Sequence, residues 1–318
     1  MKLKTFIPSL LVIALSACSQ NSFVINNKVF CFDTYIETNL YEGDKKDSEK
    51  LEEFFTYFDK VSDNYQARNI TNVYSINHTN DNVEIDKELY DLLKTSFEVN
   101  KEGAKYFNPL CGSLAKKWKE SLAKGEVLDE ATVQGELTKM NSSSLVFKDN
   151  NVVQRTGEAE IDLGGIVKGY VLDKSLEYLK NKNITSYILN AGSSSILLGE
   201  KKSKDGLFSV GLNDVPNAYI KVKNAFVSTS SKSVQGVKIG DLTYSHIINP
   251  ITGSALNEND AVIVITDKGY LGDALSTSMM MNTVDEIKTI EQEQNVKTIV
   301  IKNNKVIYSH KDIEVLYR

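Results

Sequence analysis

Ile-Asp-Leu-Gly-Gly-Ile-Val-Lys-Gly-Tyr, residues 161–170, is the stretch that decides the fold, and it is also the first with chemical character. An apolar strand end runs into two glycines and then into a helical pattern that continues through Leu172, Leu176 and Leu179. This order places backbone amides at a helix N-terminus, a geometry suited to phosphate, with Lys168 in the first turn. A glycine pair at such a turn is often needed only for its permissive φ, so a purely conformational role stays open.

A histidine stands in a second stretch, residues 244–253, which reads Tyr-Ser-His-Ile-Ile-Asn-Pro-Ile-Thr-Gly. His246 lies between a strand pattern and a turn, at an edge that solvent can reach, where proton transfer is feasible. A single histidine is more often structural, and packing of the turn is the alternative role. If His246 is a base, activity should fall as pH drops through about 6 to 7, around the ordinary histidine pKa.

A carboxylate and a hydroxyl share one helix face in a third stretch, residues 272–278, which reads Gly-Asp-Ala-Leu-Ser-Thr-Ser. Asp273 and Thr277 are four residues apart, so their oxygens face the same side of a helix and could share one cation. The alternative is an N-terminal Asp followed by a surface Thr. We expect Asp273 to be an exposed ligand whose removal leaves the fold largely intact.

Helical and strand patterns alternate along the chain and predict an α+β protein. Apolar residues recur at helical spacing, or a helix is expected, over residues 47–60, 86–103, 112–118, 129–140 and 271–281. The first two segments begin near an Asp that could cap them. Strand patterns occupy residues 188–189, 196–198, 225–227, 261–265 and 298–301. Residues 144–156 read as a hairpin with its turn at Asp149-Asn150-Asn151.

Composition bounds the class of protein. The chain has 318 residues, of which 41% are hydrophobic and 25% are charged, enough to bury the core of a globular domain of one or two lobes. A formal net charge of -5 gives no general attraction to nucleic acid, so we expect no nucleic-acid partner. No low-complexity linker follows residue 30, and we find no clean domain boundary.

The first 20 residues resemble a bacterial lipoprotein signal. Lys2 and Lys4 precede an apolar run, and Leu15-Ser16-Ala17 leads into Cys18. The run is too short to span a bilayer as a mature helix. We expect cleavage before Cys18, lipidation of that cysteine and a lipid-anchored location on the extracytoplasmic face of the cell membrane; ordinary secretion is the alternative. The expected parts are a signal peptide at 1–17, a lipidated tether at 18–27 and one domain at 28–318.

Two further cysteines, Cys31 and Cys111, remain in the mature chain. They could pair in an oxidising compartment, but a separation of 80 positions gives no framework signal, and two separate buried thiols are favoured. With only three histidines in the chain, a Cys/His zinc site is disfavoured. Any metal should therefore be a hard one with oxygen ligands.

Taken together, these motifs resemble the ApbE-type flavin transferases, or FAD:protein FMN transferases, and keep that family's order over nearly the whole mature chain. The matching segments are Tyr106-Phe107-Asn108 with Gly112 and Trp118, Asp162-Leu163-Gly164-Gly165 with Lys168-Gly169, Asn190-Ala191-Gly192, Ser228-Thr229-Ser230, His246-Ile247 with Pro250, Thr252 and Gly253, and Asp273-Ala274-Leu275 with Thr277. The resemblance implies one α+β domain of two lobes, with mixed or antiparallel sheets flanked by helices and FAD in the cleft between the lobes.

The resemblance also implies roles for individual residues. The implied FAD contacts are Tyr106, Phe107, Asn108, Asp162, Lys168 and Ile247. The implied ligands of Mg²⁺ beside the pyrophosphate are Asp273, Thr277 and the carbonyl oxygen of Gly165. His246 matches the family's candidate proton acceptor, and with Asp273 it forms the expected catalytic pair.

Two departures from the family pattern concern FAD contacts. The family's Met-Gly-Thr reads Phe32-Asp33-Thr34 here, so only Thr34 carries over. The family's Ser-x-Tyr reads Ser62-Asp63-Asn64-Tyr65, so either Asn64 or Tyr65 fills the position of the tyrosine. Loss of that aromatic contact would loosen the flavin and let water compete for the phosphorus, which keeps hydrolysis open.

The implied function is Mg²⁺-dependent transfer of FMN from FAD to a threonine of extracytoplasmic proteins, with release of AMP. The acceptors would carry a Ser/Thr-Gly-Ala-Thr-like motif, and the lipid anchor would hold the enzyme at the membrane. Because the nucleophile belongs to the acceptor, the chain needs no Ser/His/Asp set of its own. Two alternatives remain: an FAD pyrophosphatase that yields FMN and AMP, and a non-catalytic flavin-binding lipoprotein.

Overall fold

A computed structural model describes residues 24–318 of the chain. The signal peptide expected at 1–17 and Cys18 lie outside the described residues, and lipidation stays a prediction. Within residues 24–318, no helix has both the length and the apolar character needed to cross a membrane.

Strands and helices are distributed along the whole described chain. The strands are β1 Ile25–Cys31, β2 Thr34–Leu40, β3 Asn82–Glu84, β4 Ser144–Lys148, β5 Val152–Thr156, β6 Tyr187–Ala191, β7 Ser195–Leu198, β8 Phe208–Gly211, β9 Ala218–Val222, β10 Ala225–Ser231, β11 Val237–Ile239, β12 Leu242–Tyr244, β13 Ala261–Thr266, β14 Lys297–Lys302, β15 Lys305–Ser309 and β16 Leu316–Tyr317. The helices are α1 Lys45–Ser62, α2 Val73–Asn77, α3 Lys87–Glu98, α4 Gly112–Ala123, α5 Glu130–Asn141, α6 Val167–Asn181, α7 Gly269–Met279 and α8 Val284–Gln294. Two short 3₁₀ turns occupy Val99–Glu102 and Pro109–Cys111.

The central element is an eight-stranded sheet with the order β1-β2-β6-β7-β10-β13-β14-β15. Three small sheets have the orders β11-β12, β16-β9-β8 and β3-β5-β4. Every strand pair within residues 24–318 is antiparallel. The α+β class with antiparallel sheets and flanking helices is therefore confirmed.

Strand β13 shows how the sheet separates two apolar cores. Val262 and Val264 belong to the core that the helices build, whereas Ile263 and Ile265 belong to the core that contains β8 and β9. Successive side chains of a strand point to opposite faces, so the two cores lie on the two sides of one sheet. An apolar run buried on both faces is the reason that β13 reads as unbroken Ala-Val-Ile-Val-Ile.

Capping residues decide where the first helices begin. Helix α1 starts two residues before the predicted 47–60, because Asp44 is its N-cap and accepts hydrogen bonds from the amides of Lys46 and Asp47. Asp47 completes a capping box, since its Oδ2 accepts from the Asp44 amide at 2.8 Å. Helix α3 follows Asp86 as predicted, and residues 99–102 of the expected helix form a 3₁₀ turn instead.

Two hairpins show how far turn residues predict a hairpin from the sequence. The predicted hairpin at 144–156 is confirmed, with Asn150 and Asn151 at φ of 58° and 55°, a conformation that Asn adopts readily. The hairpin β1–β2 escaped prediction because its turn uses Phe32 and Asp33, at φ of 54° and 56°, rather than Asn-Gly. Strand β1 begins at Ile25, within the segment 18–27 for which the sequence predicts a tether, and the tether itself stays a prediction.

Helices α6 and α7 cross where two glycines bring their backbones into contact. A Cβ added at Gly169 would overlap the carbonyl oxygen of Gly269, and a Cβ added at Gly269 would overlap that of Gly169. Each helix therefore needs glycine at the crossing point, because any side chain there would push the two backbones apart. This crossing joins two of the three motif stretches that the sequence singled out.

Gly169→Ala should lower the free energy of unfolding by about 1 to 3 kcal/mol or more, because the added methyl group would overlap the backbone of the other helix at the crossing. Gly135→Ala is the matched control. Gly135 lies in α5 with no atom within 4 Å of an added Cβ, so this change should raise the free energy of unfolding by about 0.5 to 1 kcal/mol. Urea denaturation of both variants checks the pair, and equal effects at the two positions would show that the crossing tolerates separation.

Candidate active site

The Asp273 carboxylate is the centre of a buried polar cluster between α6, α7 and the central sheet. Its Oδ2 accepts a hydrogen bond from the Gly169 amide at 2.6 Å, and its Oδ1 accepts from Ser195 Oγ and Ser228 Oγ, each at 2.7 Å. Asp273 is only 6% exposed. The expectation of an exposed ligand was therefore wrong, because this face of α7 packs against α6 and the sheet.

The charge of Asp273 is only partly compensated. Burial raises the pKa of its carboxyl, whereas the positive charge of Lys168 and the three hydrogen bonds lower it. A carboxylate offers about four lone-pair sites, and three of them already accept hydrogen bonds. Because Oδ1 accepts two of these bonds and Oδ2 only one, the remaining capacity lies on Oδ2.

The other two predicted metal ligands, Gly165 and Thr277, lie against each other. A Cβ added at Gly165 would stand 3.4 Å from Thr277 Oγ1 and 3.1 Å from Phe107 Cε2. Thr277 Oγ1 also lies 3.3 Å from Ser230 Oγ. No group of three or more His, Cys, Asp or Glu side chains in residues 24–318 is arranged to hold a metal ion. A cation here would therefore need hydroxyl and carbonyl oxygens in addition to the one carboxylate.

The predicted FAD contacts at residues 106–108 and at Asp162 are brought together. The Tyr106 amide donates to Ser278 Oγ at 2.9 Å, which places this segment beside α7. The Asp162 amide donates to the carbonyl oxygen of Pro109 at 2.8 Å, which places the glycine loop beside the same segment. Three motifs that are far apart in sequence thus meet at the start of α6.

Side chains of Asn108 and Asp162 shape their own turns. Asn108 Oδ1 accepts from the Leu110 amide at 2.9 Å, and Asp162 Oδ1 accepts from the Gly164 amide at 2.7 Å. These hydrogen bonds fix the orientation of each side chain. They leave Nδ2 of Asn108 and Oδ2 of Asp162 for other partners. Both residues are half-buried, so a ligand can reach them.

Two buried residues that the sequence did not single out hold the glycine loop from behind. Asn77 accepts from the Ile161 amide at 2.7 Å and donates to the Ile161 carbonyl oxygen at 2.9 Å. The guanidinium of Arg155 donates to four backbone carbonyl oxygens between residues 76 and 159. Neither residue belongs to a recognisable local motif, so no sequence signal could have found them.

His246 combines solvent access with a depressed pKa. His246 is exposed, yet desolvation by the surrounding protein lowers the pKa of the imidazole to about 4, with the charge of Lys168 acting in the same direction. The imidazole is therefore neutral at physiological pH and able to accept a proton. If His246 is the base, this lowered pKa moves the expected acid limb below the pH of about 6 to 7 predicted for an ordinary histidine.

Helix α4 holds the loop that carries His246. Trp118 Nε1 donates to the carbonyl oxygen of Gly253 at 2.8 Å, and the Trp118 ring stacks on Tyr244 with centroids 5.8 Å apart. Ile247 lies in the apolar core, with its amide bonded to Ser245 Oγ at 3.0 Å. Little of Ile247 is thus free for the FAD contact predicted for it.

The remaining predicted FAD contacts lie at two other places. Asn64 is buried with its Nδ2 unpartnered among the described residues, whereas Tyr65 is 52% exposed with the ammonium groups of Lys116 and Lys119 each 5.0 Å from its ring centroid. Thr34 packs against Gly192. Asn64 offers a buried donor and Tyr65 an exposed ring, so both stay candidates for the family's tyrosine position.

Cys31 and Cys111 are two separate free thiols, as the sequence favoured, but only Cys31 is buried and Cys111 is half-buried. Burial raises the pKa of Cys31 to about 11 and that of Cys111 to about 12. Both thiols therefore stay protonated and unreactive at physiological pH.

Known proteins share this fold and are similar in sequence. The sequence profile of the ApbE family matches residues 32–300. An FAD:protein FMN transferase of Treponema pallidum is 25% identical over 217 residues, which cover 62% of this chain and 60% of that protein. One of Klebsiella pneumoniae is 25% identical over 251 residues, which cover 74% of this chain and 77% of that protein. The ApbE protein structure of Thermotoga maritima matches with a TM-score of 0.77 at 21% identity, covering 91% of this chain and 98% of that one.

The fold is one that this chain shares with the Thermotoga maritima protein, and the curated relatives make this chain an enzyme of the transferase class. The chain belongs to the ApbE family, because the family profile spans most of its length. The structural likeness, at 21% identity, supports the fold.

Asp273→Ala should lower the free energy of unfolding by about 3 kcal/mol or more, because one amide and two hydroxyl donors lose their buried acceptor. Asp129→Ala, which removes an exposed cap at the start of α5, is the control and should cost much less. Urea denaturation followed by the fluorescence of Trp118 measures both. A loss for Asp273→Ala no larger than that of the control would contradict the buried cluster.

Proposed function

We propose that the chain is a Mg²⁺-dependent FAD:protein FMN transferase, which moves the FMN half of FAD to a threonine hydroxyl of an acceptor protein and releases AMP. The observation that carries the proposal is the buried Asp273 carboxylate. It accepts a hydrogen bond from the Gly169 amide, and the positive charge of Lys168 stabilises its ionised form. The relatives from Treponema pallidum and Klebsiella pneumoniae are named for this activity. The names of these relatives support the proposed reaction, and the geometry around Asp273 supports the roles proposed for individual residues.

The glycine loop and the start of α6 fit a pyrophosphate. The N-cap residue of α6, Ile166, makes no side-chain cap hydrogen bond, and Lys168 lies in the first turn. The amides of Ile166 and Val167 bond to the carbonyl oxygen of Leu163, and that of Gly169 bonds to Asp273, so the attraction for an anion comes from the positive end of the helix dipole and from the Lys168 ammonium group. Gly164 is exposed, so the backbone is accessible to a phosphate. We therefore assign the pyrophosphate of FAD to this loop, with residues 106–108 and Asp162 as further contacts.

The oxygens beside this loop fit Mg²⁺. Asp273 keeps one lone pair on Oδ2, and Thr277 Oγ1 lies 3.4 Å from where a Cβ of Gly165 would be. Mg²⁺ takes one or two carboxylates together with phosphate and water oxygens, which suits a set with one carboxylate. When bound, the ion would offset negative charge on the pyrophosphate and on the departing AMP.

His246 would accept the proton of the incoming threonine. The bond from the threonine oxygen to the FMN phosphorus forms as the phosphoanhydride bond to AMP breaks, and the hydroxyl proton passes to the imidazole. The lowered pKa keeps the ring neutral and ready for this proton, and its exposure lets a segment of another protein reach it. The nucleophile thus comes from the acceptor, which would present a Ser/Thr-Gly-Ala-Thr-like motif.

Hydrolysis of FAD to FMN and AMP is the second candidate function. Its specific support is Tyr65, whose exposed ring lies between Lys116 and Lys119 and is not buried against other side chains. A less enclosed flavin would let water take the place of threonine. A purely flavin-binding role is disfavoured, because binding alone requires neither a neutral His246 nor a buried Asp273.

Mass spectrometry separates the three functions. The chain is incubated with FAD, Mg²⁺ and a peptide that contains Ser-Gly-Ala-Thr, and the same peptide with valine for threonine is the control. The transferase reading requires FMN bound to the threonine peptide and AMP in solution. Free FMN with both peptides unmodified would support the pyrophosphatase, and intact FAD would support the binding protein.

His246→Ala should slow transfer by about 10² to 10⁴, the usual contribution of a positioned general base. FAD affinity and thermal stability should change little, because His246 is exposed and Trp118 holds the loop. In the wild type, kcat/KM should fall on acidification with a midpoint below the ordinary 6.5, because protonation blocks the base and the pKa is lowered. A stable variant that binds FAD and transfers at the wild-type rate would rule out His246 as the base.

The location of the enzyme is part of the proposal. Leu15-Ser16-Ala17-Cys18 supports a lipid anchor that holds the domain on the extracytoplasmic face of the membrane. A diacylglycerol and an amide-linked chain together meet the two-chain requirement for stable anchoring. The acceptors would then be extracytoplasmic proteins as well.

Cys18→Ala should abolish incorporation of labelled lipid and move the chain from the membrane fraction to the soluble or secreted fraction. Cys31→Ala is the matched control, because that thiol is buried in the folded domain. Lipid labelling that persists in Cys18→Ala would show that Cys18 is not the site of attachment.

A further inference from the structure

Asp173, on α6, caps the N-terminus of α7. Its Oδ1 accepts from the Gly269 amide and its Oδ2 from the Tyr270 amide, each at 2.8 Å. The N-cap residue of α7, Lys268, makes no side-chain cap hydrogen bond of its own. A carboxylate from the neighbouring helix therefore satisfies the amides that begin α7.

The same exchange runs in the opposite direction. Helix α6 also lacks a side-chain cap at its own N-cap residue, and Asp273 of α7 accepts the amide of Gly169 in its first turn. Asp173 follows Gly169 by four residues, and Asp273 follows Gly269 by four. The two glycines are in contact. The aspartate one turn after the glycine of each helix therefore reaches the backbone amides at the start of the other helix.

This exchange fixes both the position and the rotation of α7. Two hydrogen bonds to consecutive amides set where α7 begins, and a shift of one residue would move it by about 1.5 Å and turn it by about 100°. Such a shift would carry Asp273 away from the Gly169 amide and Thr277 away from Gly165. The site has little room for such a shift, because a Cβ added at Gly165 would already lie 3.4 Å from Thr277 Oγ1.

We propose that Asp173 is a positioning residue that fixes α7 so that Asp273 and Thr277 face the glycine loop. It acts through the backbone of Gly269 and Tyr270 and makes no hydrogen bond to any of the three proposed metal ligands. The description of α7 as a site element rests on the proposed function, whereas the exchange of carboxylates does not.

The experiment compares Asp173→Asn and Asp173→Ala with the wild type. Mg²⁺ binding in the presence of FAD is measured by calorimetry, and kcat, half-saturating Mg²⁺ and thermal stability are measured on the same preparations. The pH is kept above about 7, the value to which burial raises the pKa of Asp173, so that its carboxylate is ionised. Asp86→Ala, which removes the N-cap of α3, a helix that contributes none of the proposed ligands, is the control.

Asp173→Ala should weaken Mg²⁺ binding by about 10- to 100-fold, as loss of a residue that orients a metal ligand typically does. The Mg²⁺ affinity of Asp173→Asn should lie between those of the wild type and Asp173→Ala, because its side-chain amide oxygen can accept only one of the two hydrogen bonds. Asp86→Ala should bind Mg²⁺ as the wild type does, even with a similar loss of stability. Wild-type Mg²⁺ affinity in a folded Asp173→Ala or Asp173→Asn variant would overturn the proposal.

Hydrogen exchange at the Gly169 amide separates this proposal from the proposed function. Loss of the Asp173 cap should increase exchange at Gly169, because Asp273 then no longer holds that amide. If the wild type binds no Mg²⁺, the proposed function fails, and exchange at Gly169 still decides whether Asp173 positions Asp273. Unchanged protection of Gly169 in Asp173→Asn or Asp173→Ala would show that it does not.

Discussion

The contact between Gly169 and Gly269 is the constraint on which the rest of the site depends. Because neither residue has a side chain, α6 and α7 approach until their backbones touch, and Asp273 then reaches the Gly169 amide. Ser195 of β7 and Ser228 of β10 complete the set of donors around the same carboxylate. Burying a carboxylate is costly unless its hydrogen bonds are made, so the close crossing is what makes a charged centre tolerable at this depth.

The loop of His246 argues against a merely structural histidine. Trp118 anchors the turn through Gly253 and supports the strand before it through Tyr244, and Ser245 Oγ accepts the Ile247 amide. The loop is thus held by groups other than the imidazole, which is exposed. A side chain that packing does not require, with a pKa that leaves it neutral, is suited to proton transfer.

Local patterns predicted the elements whose signals lie in neighbouring residues. The glycine-to-helix order around Gly165 correctly predicted α6, but the strand expected just before the glycines was wrong, because β5 ends at Thr156 and residues 157–163 form neither strand nor helix. The four-residue spacing of Asp273 and Thr277 correctly placed both residues on α7. The burial of Asp273 was not predictable, because spacing shows which residues share a helix face but not what that face packs against. The caps of α6 and α7 come from each other, so a search for a capping residue just before each helix finds nothing. Asn77 and Arg155 support the loop from distant parts of the chain, which only the folded structure brings together.

The order of the central sheet governs when the site can exist during synthesis. Strand β2 pairs with β6, so this part of the central sheet joins residues that are far apart in sequence. Strand β13 in turn lies between β10 and β14. Sheets built from such distant pairs form slowly, and chains emerge from the ribosome N-terminus first. The glycine loop is made about a hundred residues before α7, yet it has no carboxylate to meet until α7 has emerged. Topology alone thus imposes a timing control, under which a partly synthesised chain has no reactive centre.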